Sequence, residues 1–496
     1  MSTQRLVTWI TFLAVFAMAA RISVDTDTWW HLRAGQWIVE NRQIPQVDVF
    51  SYTRVGEPWE YPGWLVEVPL YWIYQYAGPG GLNLWTALMV TVTFAFVWQT
   101  LSGGAFLRAF VIVLAAAAAG VYWAARPYLV TFLLAAITLW ILERYRWRMP
   151  GNIGKFVYWL PVLMVLWVNS HGGFLVGFMI WGIYWITEAG WLAWETLIKK
   201  QRSFKLRSFA TPLFWAGLLM LMAVCINPYG PEMLLYPFKT VSIGALRAYI
   251  QEWQSPEFHL ISVQPFAWLM LLTFAAVGAS RQRLAFIDFI LVGLFFYMGL
   301  LAGRNVALFS IVAPMVLTRH AAPVLDGLSG SLGLQTSPTR TPSKRVSLLN
   351  TIILILLAVA VVFKVSLVYP EKANIEAYRE NLPMGAVAYL NDNKPEGRLF
   401  NPYNWGAYLL WALPGYPVFV DGRTDLYNDE IINKWLTVAR VEDGWQDILE
   451  EYEINLLMIE PGSMLDRTLA SAQAWEPVYR DAISVIYQRI HPNSPF

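Results

Sequence analysis

Leu348-Leu-Asn-Thr-Ile-Ile-Leu-Ile-Leu-Leu-Ala-Val-Ala-Val-Val-Phe-Lys-Val-Ser-Leu-Val368 matches the roughly 20 apolar residues that a helix needs to cross a bilayer, and Lys364 is its one charge. Similar runs recur upstream at residues 6–20, 84–101, 107–123, 130–142, 156–168, 174–192, 212–226, 265–277, 284–301 and 306–317. The reading is a polytopic α-helical membrane protein of about eleven spans. Several runs are short, which implies broken or partly reentrant helices. Residues 65–76 are also apolar, but Glu67 and Pro69 make that stretch an interfacial helix. Composition agrees. Of 496 residues, 57% are hydrophobic and only 14% charged, with a mean hydropathy of +0.43, against roughly 25% charged residues in soluble proteins.

Several function classes drop out at this point. The 36 basic and 34 acidic residues leave a formal charge of +2, so nucleic acid is not an expected partner. A single cysteine, Cys225, allows neither an intramolecular disulfide nor a cysteine metal site. The sequence contains no P-loop, Gly-x-Gly-x-x-Gly, Gly-x-Ser-x-Gly or His-Glu-x-x-His motif, and so gives no support to ATP-driven or protease-like chemistry. The 26 Trp and 24 Tyr fit lipid–water boundaries, or a cleft that stacks sugar rings.

Cytoplasmic loops hold an excess of Lys and Arg, which sets the orientation. The basic clusters are Arg144, Arg146, Arg148 and Lys155; Lys199, Lys200, Arg202, Lys205 and Arg207; Arg281 and Arg283; and Arg319, Arg340, Lys344 and Arg345. With Arg5 inside and an odd number of spans, every cluster falls on the cytoplasmic side, and everything after Val368 falls outside. The N-terminus is then cytoplasmic, in a multi-pass protein of the cell (inner or plasma) membrane. The first run ends in Ala17-Met18-Ala19-Ala20 and reads either as a signal peptide or as an uncleaved first helix. The division expected is a transmembrane module over 1–369 and an extracytoplasmic α/β domain over 370–496. Within the module, 22–82 forms the first outer loop and 319–346 a cytoplasmic linker, flexible over the Ser-, Gly-, Pro- and Thr-rich residues 322–344. In the outer domain, strand-like runs at 417–421 and 455–460 alternate with helical stretches at 429–438 and 445–452.

On this topology the costly polar residues collect at the outer face, where ionisable groups at membrane depth point to a functional site. Asp25-Thr-Asp27-Thr-Trp-Trp-His31 offers two carboxylates for acid–base work or for a cation such as Mg or Mn, with His31 on the same side of a helix that starts at Thr28. The plainer account makes Asp27 the N-cap of a helix over 28–40, Trp29 and Trp30 interfacial anchors, and His31 a surface histidine. Arg126 and Arg304 lie at the outer ends of spans and suit a phosphate, which the guanidinium fork binds bidentately; the alternative is an ion pair with a loop carboxylate such as Glu252 or Glu257. Asn169, Ser170 and His171 form a turn between spans, and Glu252 and Trp253 lie in the loop after the seventh. In the outer domain Tyr403, Asn404 and Trp405 offer a stacking face with hydrogen bonds, and Asp421-Gly422-Arg423 a tight turn. Packing alone also accounts for both.

A first helix ending in Asp25-Thr-Asp27, a long outer loop, many further spans and a C-terminal outer domain with an aromatic-Gly motif resemble the GT-C superfamily of integral membrane glycosyltransferases. The segments Asp27-Thr-Trp-Trp-His-Leu-Arg-Ala-Gly-Gln-Trp, Ile44-Pro-Gln-Val-Asp48-Val-Phe-Ser51-Tyr-Thr, Glu252-Trp-Gln-Ser-Pro and Asn404-Trp-Gly-Ala-Tyr are similar to a bacterial cell-envelope branch of it. The resemblance implies transfer of a sugar from a polyprenyl-phosphate carrier to a glycan or protein acceptor on the outer face. It assigns the base or tentative metal ligand to Asp25 or Asp27, with His31 beside them, and the carrier phosphate to Arg304 and Arg126. His171, Asn169, Glu252, Trp253, Tyr403, Asn404, Trp405, Asp421 and Arg423 are left to the acceptor or substrate cleft. Asn404-Trp405-Gly406 is similar to the start of the Trp-Trp-Asp-Tyr-Gly motif of oligosaccharyltransferase catalytic subunits but lacks its Asp. Asp-Thr-Asp likewise replaces the adjacent Asp-Glu of protein O-mannosyltransferases. Two other classes stay open: a non-catalytic scaffold or membrane-complex subunit that binds protein through its outer domain, and a lipid or solute transporter, which would place ionisable residues near mid-membrane.

Overall fold

The computed structural model describes residues 1–147, 153–198, 211–332 and 342–490. Among them, seven helices are long and apolar enough to cross a membrane: Trp64–Trp98, Ala105–Tyr122, Tyr128–Arg146, Gly172–Trp194, Ile261–Ala279, Gly303–Ser331 and Lys344–Val368. Four shorter apolar helices are Thr3–Ala19, Lys155–Val168, Pro212–Val224 and Phe286–Leu301. Each apolar run of the sequence carries one of them. The protein is a multi-pass membrane protein, and helices satisfy every backbone group internally where water is absent. Trp64–Trp98 is broken at Gly78 (φ 59°), a left-handed conformation that glycine tolerates, and Pro79 removes a helix donor at the same point.

Two expectations are corrected here. The linker over 322–344 is helical as far as Ser331: the long helix that starts at Val306 carries on past the apolar run, with Ala322 still buried and Leu325 and Leu328 exposed. Residues 333–341 of that linker, with Arg340, lie outside the described residues, as do Arg148 and the basic run 199–207. The strand expected over 417–421 makes only an isolated bridge from Val418 to Ser51. Its backbone groups are taken instead by side chains, with Phe419 N–H donating to Asn401 Oδ1 at 2.9 Å and Thr53 Oγ1 donating to Phe419 O at 2.7 Å.

The chain folds into two compact units. The first comprises Met1–Arg21, Asn83–Leu234 and Gln251–Val368. At its centre is Gly303–Ser331, whose apolar window is 67% buried; Lys344–Val368, at 6%, presents nearly all its surface outward, as a lipid-facing helix does. A polar layer ties the helix ends together. Arg319 pairs with Glu143 at 2.6 Å and with Asp288, Arg146 reaches Glu143 at 3.2 Å, and Tyr184 OH donates to Glu143 at 2.6 Å. Two guanidinium groups balance two carboxylates, which is the condition for keeping such charges out of water.

The second unit gathers Ile22–Leu82, Leu235–Ile250 and Tyr369–Phe496. Its sheet has four strands, β1 (Arg398–Phe400), β2 (Ile454–Ile459), β3 (Trp475–Arg480) and β4 (Val485–Arg489), in the order β1-β2-β4-β3. β1 runs parallel to β2 and the other pairs are antiparallel, with Leu457 opposite Tyr487. β2 is almost wholly buried, the pattern of a strand covered on both faces. Helix Thr28–Asn41 packs on helix Tyr403–Ala412, and Trp29 makes edge contacts with Tyr378 and Tyr408 at 5.2 and 5.3 Å. Trp29 and Trp30 are buried core residues rather than interfacial anchors, because the first loop folds onto the C-terminal segment and encloses them.

Candidate functional site

In the first unit, three helix starts lie together. Helix Tyr128–Arg146 is preceded by Arg126, the turn entering helix Leu175–Ile198 by His171, and helix Val306–Ser331 by Arg304. Tyr128 joins them: its hydroxyl donates to Arg304 O at 2.9 Å and its ring meets His171 edge-on at 5.9 Å. The positive ends of three helix dipoles therefore lie near one another, which favours an anion. The charged side chains add to it. Arg126 pairs with Glu252 at 2.7 Å. Arg304 has no carboxylate within ion-pair reach among the described residues, and its guanidinium lies over Trp253, 4.5 Å from the ring centroid. Burial alone would raise the Glu252 carboxyl, but Arg126 and Arg304 hold it below the usual range, so one negative charge faces two positive ones.

His171 is fixed in one tautomer. The Gly173 N–H can only donate, and it donates to His171 Nδ1 at 3.0 Å, so the ring proton is on Nε2. Trp167 Nε1 donates to Thr131 Oγ1 at 2.8 Å, and Thr131 in turn meets Nδ1 at 2.8 Å. Burial, with Arg304 and Arg126 nearby, pushes the imidazole down to about 3, so it stays neutral at any working pH. Asn169 donates its amide to Val165 O and Ile226 O, both at 2.8 Å, which spends it on closing the turn.

The second unit holds the acidic residues. Asp25, not Asp27, caps helix Thr28–Asn41: its Oδ1 accepts from Thr28 N at 3.0 Å and from Thr28 Oγ1 at 3.1 Å. Asp27 is itself in the helical region and makes no capping bond. The cap therefore begins two residues earlier than the sequence suggested, and the half-buried carboxylate of Asp27 lies against Gly422 instead. His31 is no surface histidine. It is buried, its ring lies tilted against that of Trp30 with centroids 3.5 Å apart, and it pairs through Nδ1 with the buried Glu67 at 2.9 Å. Among the described residues no group of three His, Cys, Asp or Glu side chains could hold a metal ion; Asp25 and Asp27 together offer two carboxylates, one oxygen of which is already engaged by Thr28.

Asp421 and Arg423 are sealed inside this unit, with side chains 0% exposed. Arg423 Nε donates to Asp421 Oδ1 at 2.9 Å, Nη2 to Asp421 Oδ2 at 2.7 Å, and Nη1 to Asp48 Oδ1 at 2.6 Å, while Tyr427 OH donates to Asp421 Oδ2 at 2.7 Å. The guanidinium also lies 4.8 Å from the Trp59 ring centroid. Burial opposes its charge, but Asp421, Tyr427 and Asp48 raise it well above its ordinary value, and Arg423 with Ser51 brings Asp48 below the usual carboxylate range against burial. These groups bind one another rather than line a cleft. Tyr403 shares a 2.6 Å hydrogen bond with Thr424, Trp405 is buried and Asn404 exposed.

No protein-family profile matches the sequence, and no curated protein does. Solved structures do match. The archaeal oligosaccharyltransferase AglB from Archaeoglobus fulgidus, in complex with an inhibitory peptide and a dolichol-phosphate, superposes with a TM-score of 0.51 at 12% identity, covering 92% of this chain and 70% of that one. The fold is of the GT-C type. The Archaeoglobus fulgidus oligosaccharyltransferase in its apo form gives a TM-score of 0.50 at 12% identity, over 91% of this chain and 69% of that one. ArnT from Cupriavidus metallidurans in the apo state gives 0.44 at 16% identity, over 98% and 96%.

Within this GT-C fold the structure groups Arg126, His171, Glu252, Trp253 and Arg304 in one unit, and Asp25, Asp27 and His31 in the other. Thr131, Trp167 and Tyr128, which fix His171 and the helix starts, have no sequence signal beyond being polar or aromatic residues in apolar runs. Glu67 does have one, as a charge in an apolar stretch, and its partner is His31. Asp48, which the sequence offered only as part of a resemblance segment, and Tyr427 close the cluster around Arg423.

Proposed function

We propose that the protein transfers a sugar from a polyprenyl-phosphate carrier to an acceptor hydroxyl on the outer face of the membrane. The observation that carries this reading is Arg304. A half-buried guanidinium with no carboxylate within ion-pair reach among the described residues, at the start of one long helix and near the starts of two others, is suited to phosphate oxygens. The GT-C fold supports the class of carrier, because AglB was solved with a dolichol-phosphate. Fold alone does not assign an activity, so the argument rests on the residues.

In the transfer, the acceptor oxygen forms a bond to the anomeric carbon as the bond from that carbon to the carrier phosphate oxygen breaks. The acceptor proton passes to the carboxylate of Asp27. The bonding electrons leave with the polyprenyl phosphate, and Arg304 stabilises the charge that develops there, with Arg126 contributing a field already balanced by Glu252. The neutral His171 Nε2–H adds a donor that does not change charge during the cycle.

The test is release and transfer of label from undecaprenyl-phosphate carrying radiolabelled mannose, glucose or arabinose, with the full-length protein in lipid nanodiscs. Asp27→Asn should lose transfer by about a hundredfold or more, and Arg304→Ala should weaken use of the carrier. Turnover of Asp27→Asn equal to wild type overturns the assignment of the base. A tag after Phe496 that proves cytoplasmic overturns the outer-face reading.

A further inference from the structure

We infer that the C-terminal segment, together with Tyr52 of the first loop, forms a binding site for a neutral saccharide. The site is separate from the residue groups described above and does not depend on the transfer proposed for them. A cavity of about 540 Å³ lies within the second unit, a volume usual for small-molecule sites. Tyr52 and Tyr416 form part of its wall, and Asn391, Lys394, Glu396 and Arg398 stand around it.

The two rings are fixed before any ligand arrives. Tyr416 OH donates to Pro395 O at 2.7 Å and Tyr52 OH to Leu399 O at 3.1 Å, so each hydroxyl is spent on the main chain and each ring contributes apolar surface. The Tyr52 N–H also donates to Val418 O at 3.2 Å, which holds the first loop against this segment. The turn from Lys394 to Arg398 is equally set. The Lys394 N–H closes on Leu390 O at 3.0 Å, and a Cβ at Gly397 would lie 2.6 Å from Asn455 Cβ. A site whose surfaces are already in place loses little freedom on binding.

The polar groups select the class of ligand. Lys394, at φ 46°, holds the left-handed position after helix Met384–Asn393, which glycine fills at less cost; what lysine brings there is its ammonium. Among the described residues the side chains of Asn391, Lys394 and Glu396 make no hydrogen bond or ion pair, so an amide, an ammonium and a carboxylate are available to a ligand. Arg398 is engaged: Nη1 donates to Tyr452 O at 3.1 Å, Nη2 lies 3.4 Å from Glu453, and the guanidinium lies 5.6 Å from the Tyr52 ring centroid. Lys394 and Arg398 are thus matched in number by Glu396 and Glu453, which gives an anion no advantage here. A saccharide hydroxyl both donates and accepts, and the C–H face of a sugar ring packs on aromatic surface, so this set of groups suits it.

The test is direct binding. Full-length protein in lipid nanodiscs, purified without sugar-headed detergent, is titrated calorimetrically with cellotetraose, maltotetraose, mannotetraose and chitotetraose, with tetragalacturonate as the anionic control. At least one neutral tetrasaccharide should bind saturably. Gly415 lines the cavity, and a methyl group there meets nothing within 4 Å, so Gly415→Trp should fill the site and abolish binding while the thermal midpoint stays near wild type. Lys394→Gly, which relieves the backbone, should weaken binding by about tenfold with a midpoint at or above wild type. The inference is overturned if no neutral glycan binds saturably below about 10 mM, if either variant keeps wild-type affinity, or if tetragalacturonate binds more tightly than every neutral glycan. Should Gly415→Trp lose its fold, Lys394→Gly decides alone. No carrier or turnover enters these measurements, so their failure leaves the transfer reading to its own test with Asp27→Asn.

Discussion

Replacing Arg423 by methionine keeps much of its bulk and removes its charge. In the wild type the buried cluster holds one guanidinium against Asp48 and Asp421, both with fully buried side chains. Without Arg423, two carboxylates remain in an apolar site, each having lost its charge partner. Breaking a buried pair in this way costs about 3–5 kcal/mol. The unit that contains it has roughly 200 residues, for which each kcal/mol lowers the midpoint by about 2–4 °C, so the expected loss is about 6–20 °C. The two partners should rank below it, and in order. Asp421→Asn weakens the bidentate contact and the Tyr427 bond, whereas Asp48→Asn removes one charge from a cluster that carries a net negative charge and leaves Arg423 matched by Asp421. Thermal unfolding of purified full-length protein in detergent, followed by tryptophan fluorescence, measures all three. A midpoint for Arg423→Met within about 2 °C of wild type, or Asp48→Asn as the most damaging of the three, would show that the cluster does not hold this unit together.

Asp425 is raised to about 6 by burial, against its hydrogen bond from Tyr236. A carboxyl whose folded value is raised contributes stability while it is protonated, complete below its ordinary value near 3.8 and lost as pH rises through about 6. The thermal midpoint should therefore fall between about pH 4 and 6, and Asp425→Asn should flatten that fall; an identical slope in the variant counts against it. Arg304→Ala should raise KM for the polyprenyl-phosphate sugar about tenfold to a hundredfold, and Arg126→Ala should raise it less, because Glu252 already neutralises Arg126; the opposite order in initial-rate measurements would assign the phosphate to Arg126. Nitrogen-15 spectra of histidine-labelled protein should show His171 as the Nε2–H tautomer with no titration between about pH 5 and 8, and a titrating signal assigned by His171→Asn would refute the neutral-donor role.

The membrane helices were legible because a bilayer imposes length and apolarity directly on the sequence, and each run such as 306–317 became a helix. Their ends were less so: the helix from Val306 continues to Ser331 although Gly, Ser and Pro residues within 322–331 disfavour helix. In the C-terminal segment, β2 and the helices Thr424–Ala439 and Trp445–Glu451 were foreshadowed by patterning. Residues 417–421 were not, since a short apolar run does not reveal whether its backbone will meet another strand or the side chain of Asn401. At the candidate site, Arg126, His171 and Arg304 stand out in sequence as ionisable residues at the ends of apolar runs. What each one bonds to depends on residues far along the chain. The cap at Asp25 was displaced from Asp27 by two residues, a distance within which several side chains can reach the same N–H groups. Gly422 gave only a turn signal, because close approach to a carboxylate nearly 400 positions upstream leaves no local trace.

The salt bridge between Asp48 and Arg423 spans 375 residues of chain. At about 5–20 residues per second of synthesis, the acid emerges roughly 20–75 s before the base that neutralises it is made. Throughout that interval the first large loop cannot complete its interior, and its aromatic side chains, Trp29, Trp30 and Trp59 among them, have nothing to enclose them. A ribosome stalled after the helix Lys344–Val368 has been made but before codon 423 would thus leave a bundle of membrane helices with a loose, greasy strap. Such half-made chains are natural substrates for membrane quality control, and the last quarter of the gene decides whether the first tenth ever becomes a folded object.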